Sequence, residues 1–519
     1  MKRRFIILMA VLLTGVSCKK FLSTVPLDSV TPINYYKTET DLNRALAGVY
    51  DRLGDLRTYG RGFYTYLTFD DEHYAKGQTS GFFGNQIDAS TLEINRCWET
   101  LYTGIERANM LLDHMDNANV SPAIRDEVKG QALFLRGYYY FLLVDMWGAV
   151  PLKLTSTKSP TETPLPRTPV AEVYAQILKD MKEAEGLVKT VTSYGYNTKV
   201  SKTAVQGILA KVYLTMAGFP LRDVAKYADA KTYAEKVMQS GEHALNADYK
   251  QIYINHSQNL FDIKEGLLEV EFYGDNQGVI KEGGSLGSYM GILNPDLASG
   301  FGYDLMHITA KLYNAFGNGD LRRDWVCAPF RYIVTAGVPI KTNWLPTEIY
   351  ERSVGKWRRE YEALPRNQDY TPANFPLMRY ADVLLMFAEA ENELNGPTDA
   401  AYNAINMVRR RGYGKPVAIP DVTSDLTPGL AKIDFFEALK NERLCELSLE
   451  AVRKHDLIRW GIYVSTMAQL VPVLQSTMPA NLSQAALNQA RNVTARSVLF
   501  PIPNSEISVN PNITQNAGW

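Results

Sequence analysis

Apolar positions recur at helical spacing over much of this chain. Ser121-Pro122 sets a capping hydroxyl ahead of a proline at the first helical position, where the missing N–H costs nothing. The pattern predicts a helix from there to about Trp147, stopped by Gly148 and Pro151. Thr168-Pro169 repeats that start, and Val170, Val173, Ile177, Met181 and Ala184 then mark one apolar face. Ser201 opens a third helix with Ala204, Val205, Ile208, Leu209 and Val212 on its core side. A fourth runs over about 230–240 and ends at Gly241. Asp434 and Glu437 form a capping-box-like start, with Asp in the Ser/Thr role, for a helix reaching about Arg459. Trp98, Tyr102 and Ile105 share one face of a further helix, which marks Trp98 as a core residue.

The helices arrive in pairs joined by short connectors, as in tetratricopeptide-type arrays, although no strict repeat period is visible. Two stretches break the pattern. Residues 54–94 and 260–374 are rich in Gly, Asn, Asp, Pro and aromatics, and Leu267, Leu268, Val270 and Phe272 fit an isolated strand. Loops of that length in a compact protein are usually functional, so they are where a site is expected.

Composition narrows the picture. Tyr is in excess, at 31 residues against 7 Trp and 19 Phe. Its ring with a polar tip suits both helix seams and sugar-stacking surfaces. A net charge of −1 sets up no field for nucleic acid. Cys97, Cys327 and Cys445 show no metal-ligand spacing and read as buried free thiols. The six His residues include no i, i+4 pair, so the spacing supports no zinc site. At the start, Lys2, Arg3 and Arg4 precede an apolar run over 5–13, then Gly15-Val16-Ser17-Cys18. That is the layout of an export signal over residues 1–17, and its apolar run is too short to span a bilayer of about 30 Å. Its ending is similar to a lipoprotein signal, with Cys18 as the acylated first residue and Gly15 where Leu is usual.

Six blocks in order make the chain resemble one known family. Phe21-Leu22 with Pro26 is similar to the family's opening, and Trp98, Tyr102, Ile105, Ala108 and Asn109 to a second segment. The run from Ala132 to Pro151 resembles its Tyr-rich helix, with Gly137 for the usual Ala. Met378, Arg379, Tyr380, Ala381, Asp382 and the Leu pair after Val383 are close to its most specific signature. Glu442-Arg443 followed by Glu446, Glu450, Arg453, Asp456, Arg459 and Trp460 matches the next, with Ala451 where Gly is usual. The end, Phe500-Pro501-Ile502-Pro503 and then Gly518-Trp519, completes the series, and the chain so resembles the SusD/RagB proteins of the Bacteroidetes. The resemblance implies a mostly α-helical fold of tetratricopeptide-like helix pairs, with long irregular insertions and a few short strands. It implies one domain over 18–519, anchored by lipid in the outer membrane and exposed at the cell surface. It also implies a saccharide ligand, handed to a SusC-like TonB-dependent transporter, with no cofactor and no catalysis. The alternatives are a peptide-binding RagB-like member, an all-α glycosidase and a purely structural partner of the barrel.

Glu389 and Glu393, like Glu442 and Glu446, sit one helical turn apart near Arg379, Arg443 and Arg453, and read as a structural ion-pair network. Asp70-Asp71-Glu72 is the better enzyme candidate, since glycoside hydrolysis needs two carboxyls. The plainer reading is a solvated or calcium-binding loop. The resemblance places ligand-binding aromatics at Tyr74, Tyr289 and Tyr303. Trp344, flanked by Asn343 and Pro346, joins them. Trp325 follows a Gly319-Asp320-Leu321-Arg322 run similar to a structural turn of the family, and Phe82-Phe83 suits contact with either ligand or barrel.

Overall fold

The computed structural model describes residues 35–65, 69–162, 164–273 and 283–519. The export signal and Cys18 lie outside them. In chain order the frame is built from α1 (Glu39–Gly54), α2 (Leu92–His114), α3 (Pro122–Trp147), α4 (Val170–Leu187), α5 (Lys202–Ala217), α6 (Lys226–Gln239) and α7 (Tyr249–Ser257). After the long insertion come α8 (Tyr380–Asn395), α9 (Asp399–Gly412), α10 (Lys432–Leu447), α11 (Arg453–Arg459), α12 (Tyr463–Thr477) and α13 (Ala480–Arg491). Each helix from α1 to α5 packs on its successor, and α6 packs on α8, which carries α9 and α10. The result is a row of helical hairpins, as the pairing in the sequence predicts.

Local chemistry accounts for the boundaries. Ser121 caps α3 by accepting from the Ile124 N–H at 3.4 Å, with Pro122 behind it, and Gly148 ends the helix at φ 74°. Ser201 caps α5 in the same way through the Ala204 N–H. Pro169 caps α4 rather than opening it, so that helix starts one residue later than Thr168-Pro169 suggests. The seams are filled by tyrosine. A methyl group at Gly104 would lie 2.5 Å from the Tyr139 ring, so α2 and α3 meet at a distance that requires glycine there. The hydroxyl of Tyr139 donates to the Val49 carbonyl at 2.6 Å and that of Tyr140 to Lys153 at 2.8 Å. Trp98 is buried edge-on to Trp147, a core residue as expected. Cys97, Cys327 and Cys445 are free and buried.

The short strands lie in the insertions or directly after them and form antiparallel pairs: β1 (His73–Ala75) with β3 (Met306–Ile308), β2 (Gly266–Val270) with β6 (Phe375–Arg379), and β4 (Phe330–Thr335) with β5 (Val338–Asn343).

One expected helix is two. The segment from Asp434 to Arg459 breaks between α10 and α11, and Asp434 falls inside the first turn of α10 instead of capping it. At the break Leu449 and Ala451 adopt φ of 64° and 59°. The interruption frees backbone groups for tertiary bonds that a continuous helix would forbid. The Ser448 carbonyl accepts from Lys356 Nζ at 2.6 Å, the Glu446 carbonyl from Arg379 at 3.1 Å, and the Leu449 N–H donates to Glu72 at 2.8 Å.

Most of the signature charges form the buried network that their spacing predicts, but Glu393 pairs with Lys432 near the surface and Arg453 with Asp71. Arg379 bonds Glu265, Glu446 and Glu450; Arg322 bonds Asp320, Glu442 and Glu446; Arg411 bonds Glu446. Burial alone would push Glu446 up, but Arg411, Arg379 and Arg322 outweigh it and hold the carboxyl at about 2. Arg443 joins Asp382 to Asp456, and Arg459 joins Asp456 to Glu389. Asp320 and Arg322 belong to this frame, and Trp325 is buried behind them, donating to the Lys356 carbonyl at 3.1 Å.

Candidate functional site

Of the four aromatic positions expected to meet ligand, the structure brings two together and buries the other two. Tyr289 and Tyr303 lie on neighbouring backbone segments: the Tyr303 N–H donates to Ser288 at 2.8 Å and the Leu305 N–H to Tyr289 at 3.0 Å. Their ring centroids are 4.9 Å apart with the planes inclined by 37°, and Phe301 meets Tyr303 edge-on at 4.8 Å. Tyr303 is 40% exposed and is the ring that the cluster presents to solvent. Tyr289, half-buried, backs it and carries the Arg61 guanidinium at 4.6 Å from its centroid.

The rim is polar. The Tyr303 hydroxyl donates to Asp369 at 2.5 Å and accepts from the Gln368 amide at 3.0 Å. The carboxylate's acceptance of that proton raises the phenol above its usual value. Arg359, almost fully buried, fixes the geometry from below. Its guanidinium donates to the carbonyls of Phe301 at 2.6 Å and Gln368 at 3.0 Å while its Nε is held by Glu362. Gly300, at φ 107°, passes so close that a methyl group there would lie 2.7 Å from Arg359 Cβ. One cation thus ties the ring-bearing loop to the rim loop. Sequence reasoning missed Arg61, Arg359, Gln368 and Asp369, because three separated segments bring them together. The only local signal was the polar Asn367-Gln368-Asp369 run, which reads as a turn.

Tyr74 and Trp344 are corrected by their burial. Tyr74 is 1% exposed on β1, its hydroxyl donating to the Tyr350 carbonyl at 2.8 Å, and it is packed beneath α12 and α13. Trp344 is 7% exposed with the Arg331 guanidinium 4.1 Å from its centroid. Neither offers a ring face to a ligand. Phe82 and Phe83 are half-buried and pack on each other, and Phe82 also packs on Phe69.

Asp70, Asp71 and Glu72 are likewise buried, not a solvated loop. Asp71 is gripped by Arg453 through both oxygens at 2.8 Å. Burial and the neighbouring Asp70 push Glu72 well above the usual carboxyl range. A cleft of about 400 Å³ opens beside them, lined by Lys311, Asn314, Asn441, Gln469 and Thr477. Among the described residues Asp71 is its one acidic lining group, and Arg453 already occupies that carboxylate. Two carboxyls poised across a cleft, the geometry of a glycosidase, are not assembled there.

The fold and the ring platform together define a helical-hairpin scaffold that carries a loop-built recognition surface. Comparison with known proteins gives that class a family. Residues 332–519 match the family described as "SusD family", and residues 20–214 the one described as "Starch-binding associating with outer membrane". SusD-like protein P25 of Formosa agariphila is 25% identical over 95% of this chain and 94% of its own length. The crystal structure of a SusD homolog from Bacteroides thetaiotaomicron superposes with a TM-score of 0.87 at 28% identity, covering 96% of this chain and 99% of that one. A laminarin-binding SusD-like protein shares the fold at a TM-score of 0.71 and 23% identity, over 93% of this chain and 100% of its own. The chain belongs to the SusD/RagB family.

Proposed function

We propose that this protein captures an oligo- or polysaccharide on the Tyr303 platform and delivers it to a SusC-like TonB-dependent transporter without breaking a bond. The single observation that carries the reading is the exposed Tyr303 ring, backed by Tyr289 and rimmed by Gln368 and Asp369. A pyranose presents an apolar C–H face to such a ring and hydroxyls to the amide and carboxylate beside it. A protein of the same fold is laminarin-binding, and one matching family carries a starch-binding, outer-membrane description. In this reading residues 18–519 act as one unit, anchored to the outer membrane through Cys18 after loss of residues 1–17 and exposed at the cell surface. Affinity electrophoresis in gels containing laminarin or starch, followed by a glycan array and a peptide array, tests it. Retardation or array binding by a saccharide, without release of reducing ends, is expected. Binding to peptides alone, or release of reducing ends, overturns it.

A further inference from the structure

The loop that leads into β1 holds a side-chain cluster that the ring platform does not use. Asp70, Glu72 and His73 are 1%, 2% and 2% exposed. One ligand-type atom from each lies within 4.8 Å of the other two. Each carboxylate is oriented by a backbone N–H: Asp70 accepts from Glu72 at 2.8 Å, and Glu72 from Leu449 at 2.8 Å. Among the described residues, neither nitrogen of the buried His73 ring has a hydrogen-bond partner. Its Nδ1 stands 3.3 Å from Oδ1 of Asp70, yet off the line that a hydrogen bond needs. Buried polar atoms are almost always satisfied, so a ring with both nitrogens idle beside two carboxylates points to a missing occupant.

The charges around the cluster say which sign that occupant has. Arg453 is committed to Asp71. Lys454 lies over the rings of Phe500 and Tyr463, 4.4 and 5.5 Å from their centroids, and among the described residues it forms no ion pair with Asp70 or Glu72. Among the described residues the two carboxylates therefore have no cation at ion-pair distance other than His73 itself. The donor set decides the kind of cation. Calcium and magnesium favour all-oxygen shells, whereas an imidazole with two carboxylates suits zinc and its first-row neighbours. Zinc bonds of about 2.0–2.2 Å in a tetrahedral shell set neighbouring donors about 3.4 Å apart. The Asp70–His73 pair already stands at 3.3 Å.

We propose that Asp70, Glu72 and His73 bind one divalent cation of the zinc class. The ion fastens the loop before β1 to the turn between α10 and α11, which reaches Glu72 through Leu449. It also braces β3, since His73 stands opposite Ile308, on the strand that follows Tyr303. The site is independent of what the platform binds.

The test uses the full chain without a histidine tag, stripped with chelator and dialysed against Zn²⁺ or Co²⁺. One ion per chain is expected, with the visible ligand-field absorption of nitrogen- and oxygen-coordinated Co²⁺ and a raised Tm. His73→Gln is expected to weaken Zn²⁺ binding at least tenfold and to abolish the Co²⁺ spectrum. Failure of the wild-type chain to retain Zn²⁺, or retention unchanged in His73→Gln, overturns the proposal. Should that variant not fold, zinc-edge anomalous diffraction from wild-type crystals decides: a peak among the three side chains sustains the site, and a water without anomalous signal there refutes it.

Discussion

Replacing Tyr303 by Ala tests the ligand platform most directly. The ring is 40% exposed, which on a side chain of about 200 Å² leaves about 80 Å² for a ligand to cover. At about 25 cal/mol per Å², that contact contributes about 2 kcal/mol, or about thirtyfold in affinity. The substitution also removes the hydroxyl bonded to Asp369 and Gln368, but these groups sit on the rim, where water replaces the lost bonds, so the fold should lose less than about 1 kcal/mol. Isothermal titration with the saccharide retained in the gel or array, alongside a thermal melt, separates the two effects. Tyr303→Phe keeps the ring and should change affinity less than about fivefold, the order of one rim hydrogen bond. Tyr74→Phe loses the bond to the Tyr350 carbonyl and should cost about 1 kcal/mol of stability with affinity unchanged. Should Tyr303→Ala bind within twofold of the parent with its Tm preserved, the platform is not the binding surface.

Arg359→Met should destabilise by about 3–5 kcal/mol, because Glu362 is left buried and unpaired and two loops lose their clamp; urea unfolding reads it. Glu446 has a folded pKa of about 2 against a usual 4.5, so its contribution is present above pH 4.5 and lost as the pH falls toward 2. That difference corresponds to about 3 kcal/mol, and Glu446→Gln should flatten the acid limb of stability measured at pH 7, 5 and 3. Ala451→Gly relieves a left-handed conformation costing about 1–2 kcal/mol against about 0.5–1 kcal/mol of added chain entropy, so a small rise in Tm is expected.

The frame was legible because its signals are local. Ser121 with Pro122, and Ser201, announce α3 and α5 through bonds that span three residues, and i, i+4 charges share a helix face. The break after α10 was not legible. Nothing between Asp434 and Arg459 is a glycine or proline, and the interruption is stabilised by Lys356, Arg379 and Glu72, all distant in sequence. The site was half legible for the same reason. The family resemblance singles out Tyr289 and Tyr303 together with Tyr74, but whether a ring faces solvent depends on what covers it. Tyr74 falls under α12 and α13, and Trp344 under Arg331, by contacts that no spacing encodes.

The buried charges and the exposed ring are two ends of one argument. Desolvating so many carboxylates and guanidinium groups is expensive, and apolar residues of similar volume would often stabilise as well. What an ion network adds is directionality: Arg379 and Lys356 accept only one arrangement of Glu446, Ser448 and Glu450 around the α10–α11 turn. That turn holds Glu72 through Leu449, Glu72 adjoins β1, and β1 pairs with β3, which follows directly on Tyr303, Asp304 and Leu305. Asp304, at φ 60°, is held there by Lys76 at 2.8 Å. A shallow site with about 80 Å² of ring to offer cannot afford to order its own loops on binding, since each mobile side chain fixed costs about 0.5–1.5 kcal/mol. The frame orders them in advance, and a platform worth about 2 kcal/mol per ring is useful only because it is already in place.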